Sequence, residues 1–371
     1  MSRPEAISPR PTRVTAAEVA DRAGTSTATV SLVVNGKTAG RVSQANIDRV
    51  LAAVHELGYV VDHTASSLAK GTSNIVILVA PDLSNPFYGR VISGIKAELG
   101  NEYQLLLSVT GEGRNPSAAD VHRLVALRPA GLLVEAPDDE FLRDLPAGAP
   151  LVLLDAPGRE TQAPTVNFDL TGGIGALLDH LSAQGHTRIG YLDSLTRTET
   201  FELRRDLVES GAVERGMVCV SVPDAASLID PDSAAAQFVK HWPRWRDEGV
   251  TALVCATDSH AYGVLGAARE LGISVPDTLA VTGFDNLPAS AIVSPALTTV
   301  ELPGEALGRG AVRALRAQRN ELAAIGDVAA AGAGVVADTG IDTGIDIGEA
   351  ASGTPAATPL IGARLIVRES S

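Results

Sequence analysis

A chain of 371 residues with 45% hydrophobic but only 4% aromatic residues is globular, with room for two or three domains around an aliphatic core. The formal net charge of −14 is divided unevenly: residues 1–70 hold eight Lys or Arg against six Asp or Glu, about +2, so the remainder carries about −16, and only the small basic head suits a phosphate backbone. The opening MSRPEAISPRPTR lacks the apolar core of a signal peptide and no later run approaches the roughly 18 apolar residues of a membrane span, which predicts a cytoplasmic protein with no membrane partner.

Residues 1–13, with three prolines and three arginines, read as a disordered leader. Thr15 followed three residues later by Glu18 is a capping box that starts a helix with Val19, Ala20 and Ala23 on one face. Gly24 permits the left-handed conformation that ends it, and Thr25 or Ser26 can cap a second helix with Val30, Val33 and Val34 as its buried stripe. Two short helices joined by a tight glycine turn form a helix-turn-helix, whose second helix lies in the DNA major groove, making Thr27, Ala28, Thr29 and Ser31 candidate readers of base edges. A helical hairpin in some other small bundle is the plainer alternative. Ser43 caps a third helix with Ile47, Val50, Leu51, Val54 and Leu57 on one face, and Gly58 stops it. Residues 14–59 thus form a small all-α headpiece, and residues 60–73 connect it to the rest of the chain.

From Asn74 the pattern alternates aliphatic strands with helices: Ile75 to Ala80, a helix near Tyr88 to Glu98, Tyr103 to Val109, a helix near Ala118 to Leu127, Gly131 to Glu135, and Leu151 to Asp155. A second series has strands at Ile189 to Leu192, Val218 to Val222, Ala252 to Ala256 and Leu279 to Gly283. Short buried strands between helices indicate parallel sheets, and two such α/β lobes leave a cleft at the carboxyl ends of their strands. Residues 326–358, mostly Gly, Ala, Thr, Asp and Pro with the near-repeat DTGIDTGIDIG, read as a disordered acidic insertion; the spacing does not fit a calcium loop.

The run EVADRAGTSTATVSLVVNGK, followed by RVSQANIDRVLAAVHELGYVVDHTASSLAKG, resembles the DNA-binding segment of LacI/GalR family transcriptional regulators. IVILVAPDLSNPFYGRVISGI, LLD at Leu153 to Asp155, HLSAQGHTRIGYL, ATDSHAYGVLGAARELGISVP, VTGFDN and SPALTTVELP resemble that family's effector-binding domain, in the family's order. The resemblance implies a helix-turn-helix headpiece on a two-lobed, periplasmic-binding-protein-like α/β domain spanning 74–371. It implies that Leu68 is the leucine a hinge wedges into the minor groove, although Val61 stands where the family commonly has proline. The expected DNA-facing set is Thr15, Ser26, Thr27, Ala28, Thr29, Ser31, Asn35, Arg41 and Leu68. Leu32 departs from the arginine that many members carry after the recognition-helix serine, so no bidentate guanine contact is expected there. A head this weakly basic points to two heads acting together, hence a homodimer on palindromic double-stranded DNA.

Asp155, Asp258 and Asp285 each follow an apolar strand at its carboxyl end, where a cleft places groups that fix hydroxyls, with a strand-end cap as the alternative role. The resemblance adds Phe87, Tyr88 and Asp285 as contacts of a small-molecule effector, a sugar or related metabolite. Where the family often has a ligand-clasping arginine, ungapped placement back from Ser210 and Gly211 puts Glu199 and Glu202, with Arg197 two residues earlier; either Arg197 takes that part or the ligand differs from the usual sugar. Cys219 and Cys255 are too few for a disulfide framework or a zinc site, and the seven histidines show no metal-ligand spacing. Gly172, Gly173 and Gly175 do not complete GxGxxG, and neither GxxxxGK[ST] nor GxSxG occurs, so no cofactor and no catalysis are expected. A solute-binding protein sharing the two-lobed core and a Rossmann-type enzyme are the competing readings, the first weakened by the headpiece and the second by the missing fingerprint.

Overall fold

The computed structural model describes residues 14–59, 73–80, 83, 85–109, 117–137, 139–145, 150–196, 198–336 and 360–371, with the backbone alone at Ala118 and 321–336. It divides into two compact units, Met1–Ser73 and Asn74–Ser371. Leu68, Arg197, the leader and the connecting segment 60–72 lie outside the described residues.

In the first unit, α1 (Ala16–Ala23) begins at the predicted capping box: Thr15 N–H donates to Glu18 Oε2 at 2.7 Å while Glu18 N–H donates to Thr15 Oγ1 at 3.3 Å. Gly24 ends it at φ 61°, and Ser26 Oγ accepts the Thr29 N–H that starts α2 (Thr27–Val34). Helix α3 (Gln44–Leu57) closes a core of Val19, Ala20, Ala23, Val30, Val33, Val50 and Ala53. Two expectations fail here. Ser43 sits at the N-cap position but makes no capping hydrogen bond, and Leu51 is half exposed because the face of α3 turned toward α1 and α2 runs through Val50 and Ala53 instead.

The second unit has two lobes. The first holds a parallel sheet in the order β2-β1-β3-β4-β5, from β1 (Ile75–Ala80), α4 (Phe87–Leu99), β2 (Gln104–Val109), α5 (Ala118–Ala126), β3 (Gly131–Glu135), α6 (Asp139–Asp144), β4 (Leu151–Leu154) and β5 (Thr165–Val166). Strand β1 is buried on both faces, as a doubly covered parallel sheet requires: Val76, Leu78 and Ala80 join one core, Ile77 and Val79 the other. Strand β2 was expected to be buried too. It pairs on one side only, with β1, and as the sheet's edge leaves Leu106, Leu107 and Val109 exposed.

After β6 (Phe168–Asp169) the chain enters the second lobe: α7 (Thr171–Ala183), β7 (Arg188–Ser194), α8 (Glu199–Glu214), β8 (Val218–Val220), β9 (Ala226–Ser227), α9 (Pro231–Asp247), β10 (Ala252–Cys255), α10 (Asp258–Glu270), β11 (Ala280–Phe284) and β12 (Thr298–Glu301). The long helix α11 (Gly304–Val336) returns to the first lobe, against α4, β3, β4 and β5. Then β13 (Ile361–Gly362) pairs with β6, and β14 (Arg364–Ile366) closes the second sheet antiparallel to β12, giving the order β14-β12-β11-β10-β7-β8 with β9 beside β7. The chain therefore passes between the lobes at three neighbouring places, the geometry of a hinge.

Helices α4 and α11 cross with their backbones in near contact. A Cβ on Gly94 would overlap the Glu305 carbonyl, and one on Gly308 would overlap the Val91 carbonyl, so only glycine fits at either position. Helix α11 also runs through 326–336, where the sequence pattern predicts a disordered insertion. The reason is local: this part is rich in alanine and continues a helix already nucleated in the core, so propagation costs little despite the low apolar content. Residues 337–359 lie outside the described residues. Among the described residues no helix is long and apolar enough to cross a membrane.

Candidate functional site

The recognition helix of the first unit presents Ser26, Thr27, Ala28 and Ser31 to solvent, and Arg41 is exposed on the loop before α3. Three predicted DNA-facing residues are partly committed within the protein. Thr29 lies half-buried with its hydroxyl 3.0 Å from Ser26 Oγ, Asn35 Nδ2 donates to the Ser31 carbonyl at 2.7 Å, and the Thr15 hydroxyl belongs to the capping box. Leu32 is half-buried and stands outside the headpiece core.

In the second unit the strand ends converge on a cavity of about 240 Å³ between the lobes. Phe87 and Tyr88, at the start of α4, form one wall; Asn85 Oδ1 accepts the Phe87 N–H at 3.0 Å and fixes that turn. The ring of Phe87 packs edge-on against Tyr88 and Phe168 at 5.8 and 6.1 Å. Asp155 follows β4 at φ 47° and Asp285 follows β11 at φ 105°, left-handed positions that cost an ordinary side chain strain and aim both carboxylates into the cavity. Each is held by its backbone, Asp155 N–H donating to the Val166 carbonyl and Asp285 N–H to the Val300 carbonyl, both at 2.9 Å.

Two buried charged residues that the sequence reading missed also line the site. Arg204 on α8 is 3% exposed; its guanidinium stands over the rings of Phe201 and Phe284 at 5.0 and 4.6 Å, and Nη1 donates to the Ala256 carbonyl. A signal for it exists in the sequence, because Arg204 falls on the same helical stripe as Phe201, Val208 and Ala212. Glu135, the last residue of β3, is the other. Glu199, placed by alignment where the family's arginine was expected, instead receives Arg159 Nε at 3.1 Å, and Arg159 also pairs with Asp139, so this contact ties first lobe to second at the cleft's edge. Thr200 Oγ1 to Asp155 Oδ1 at 3.0 Å, and Arg90 to the Asp285 and Asn286 carbonyls at 3.3 and 2.5 Å, tie the lobes further.

Asp258 does not line the cavity. Its carboxylate accepts from Leu287 N–H at 2.8 Å, Thr299 Oγ1 at 2.6 Å and Ser290 Oγ, so it braces the loop after β11 from beneath and fills the strand-end-cap role. Burial raises it to about 6, with those three hydrogen bonds opposing the rise.

Several buried polar atoms at the cavity have no protein partner: Glu135 Oε2, Asp285 Oδ2, Arg204 Nε and Thr198 Oγ1. Such atoms are costly unless a ligand satisfies them. Burial raises Asp155 and Asp285, with the Arg204 charge opposing both. Burial and the neighbouring Asp155 push Glu135 from 4.5 up to about 8, against one hydrogen bond from Tyr88. A carboxyl raised in the folded state favours folding fully below its unfolded value and loses that contribution as pH rises to the folded value. Stability therefore declines between about pH 4.5 and 8, and Glu135→Gln shrinks the decline by a few kcal/mol. Calorimetric melting of both proteins from pH 5 to 9 checks this, and parallel curves would contradict it.

A DNA-recognition headpiece in one chain with a two-lobed fold enclosing a polar cavity defines a ligand-responsive DNA-binding protein. Residues 15–62 match the family described as bacterial regulatory proteins, lacI family, and residues 178–333 match the periplasmic binding protein-like domain. The HTH-type transcriptional regulator MalR of Streptomyces coelicolor is 31% identical over 325 residues, covering 81% of this chain and 88% of MalR. GalR of Escherichia coli is 31% identical over 293 residues, covering 77% and 83%. The chain belongs to the lacI family of transcriptional regulators. A lac repressor dimer bound to operator and the anti-inducer ONPF shares the fold at a TM-score of 0.72, with 22% identity and coverage of 97% and 99%. The regulator CelR in complex with cellobiose gives 0.63 at 25% identity, covering 97% and 100%. These relatives are transcriptional regulators rather than enzymes.

Proposed function

We propose that this regulator is a homodimeric repressor whose affinity for a palindromic operator is set by a small hydroxylated effector bound between the lobes. The observation that carries the reading is the set of unpartnered buried polar atoms facing an aromatic-walled cavity, in the same chain as a capped recognition helix. Hydroxyl groups both donate and accept, so one polyol satisfies carboxylate oxygens and guanidinium nitrogens together. Phe87, Tyr88, Asp155, Asp285, Arg204 and Glu135 are its proposed contacts; Arg197 is proposed at the same cleft on resemblance alone. The dimer reading is supported by the exposed apolar edge of β2, since an uncovered strand of this kind is otherwise an aggregation hazard. A protein that binds chromosomal DNA works where that DNA is, which supports the cytoplasm. The structural neighbour CelR, solved in complex with cellobiose, supports a sugar-like effector.

Gel-shift with fragments of the protein's own upstream region tests the reading: retardation at low salt is expected, and none would leave a solute-binding protein as the better account. Once a site is in hand, Thr27→Ala is expected to cost about 1 kcal/mol, the loss of one neutral hydrogen bond, and relax base preference at one position, whereas Arg41→Ala weakens all sequences alike and lowers the salt slope by about one. Fluorescence anisotropy across a salt series and a set of single-base variants separates the two; a sequence-dependent loss at Arg41 would reverse the assigned roles.

A further inference from the structure

We infer that the effector carries a positively charged nitrogen, seated beside Glu135 and Asp155, on its hydroxylated frame. The inference rests on the cleft being the effector site and adds the ligand's charge.

Four carboxyl groups border the cavity, Glu135 and Asp155 from the first lobe and Asp230 and Asp285 from the second. Asp230 is committed to capping α9, accepting the Ser233 N–H at 2.8 Å. Among the described residues lining the cavity Arg204 is the one cation, and its favourable influence falls on Asp155 and Asp285. Glu135 is left without a counter-charge. It is 9% exposed, its charged neighbour is the like-signed Asp155, Tyr88 donates one hydrogen bond to it, and its Oε2 has no partner.

A buried carboxyl that braces no loop and caps no helix is a burden on the fold, unlike Asp258, whose oxygens are fully occupied. A neutral polyol could give Glu135 a hydrogen bond but would leave it with no counter-charge, whereas Asp155 already has Arg204 and the Thr200 hydroxyl. An ammonium group gives up to three donors and a positive charge at once, and the rings of Phe87 and Tyr88 provide the aromatic wall that favours a desolvated cation.

The test is isothermal titration of the full-length protein at pH 7 with glucosamine, galactosamine and mannosamine against glucose, galactose and mannose. At least one amine is expected to bind ten-fold or more tightly than its neutral parent, and Glu135→Gln to bring that ratio near one. A second readout needs no variant. Because burial and Asp155 favour the protonated form of Glu135 in the empty cleft, binding of the ammonium form of the amine at pH 7 should give a net release of protons, read from the dependence of the heat on buffer ionisation enthalpy, while a neutral sugar releases none. A neutral sugar binding as tightly as its amine, a preference that survives Glu135→Gln, no proton release, or no binding by any amine would each overturn the inference. Neutral-sugar binding that is lost in Asp285→Ala would overturn the charge alone and keep the cleft as the effector site. Binding of either class that is unchanged in both Glu135→Gln and Asp285→Ala would remove the cleft itself.

Discussion

Replacing Arg204 by methionine should lower the stability of the folded chain by about 3–5 kcal/mol at pH 8 and abolish effector binding, because it leaves buried carboxylates with no opposing charge. Methionine keeps most of the side chain's volume and its packing against Phe201 and Phe284, so the loss reports charge rather than a cavity. The sign of the pH dependence comes from the partners. Burial already raises Asp155 and Asp285, and Arg204 is the first opposing influence on each. Without it both rise further and are protonated over a wider range, so the deficit shrinks as pH falls toward 5. Urea unfolding at pH 5 and pH 8 measures this directly. A deficit independent of pH would mean that Arg204 acts through its contacts with Ala256 and the two rings instead.

Asp258→Ala should be comparably damaging for a different reason. It strips the acceptor from the Leu287 N–H and from the hydroxyls of Ser290 and Thr299, all buried where water cannot replace it, at a cost of about 3–5 kcal/mol. Asp258→Asn, which keeps one acceptor oxygen, should lie between the two. Effector affinity of the surviving Asn variant should stay within a few-fold of wild type, since Asp258 does not line the cavity. Thermal unfolding together with ligand titration distinguishes this brace from a ligand contact: a stable Asp258→Ala protein that no longer binds effector would assign the residue to the cleft. Asp285→Ala should show the opposite pattern, because its Oδ2 has no protein partner to lose.

The sequence by itself determined the features built from near neighbours. The capping box of Thr15 and Glu18, the left-handed Gly24 and the Ser26 cap are satisfied within three or four residues, so the helix-turn-helix was legible before any tertiary contact. The order of the α/β elements was legible for a similar reason, each strand being a short apolar run bounded by turns. Tertiary structure decided what each strand-end carboxylate does. Asp258 and Asp285 look alike in sequence, and the difference lies in donors that reach Asp258 from Leu287, Ser290 and Thr299, brought near only when the second sheet forms. It also decided which arginine enters the cleft. Arg204 carries the right helical phase, but phase alone gives a buried arginine no partners; the ring of Phe284 and the Ala256 carbonyl come from separate strands. The exposure of β2 was hidden for the same reason: a short, mostly apolar strand such as QLLLSV reads identically whether one neighbour or two pair with it, and sheet order is a property of the whole fold.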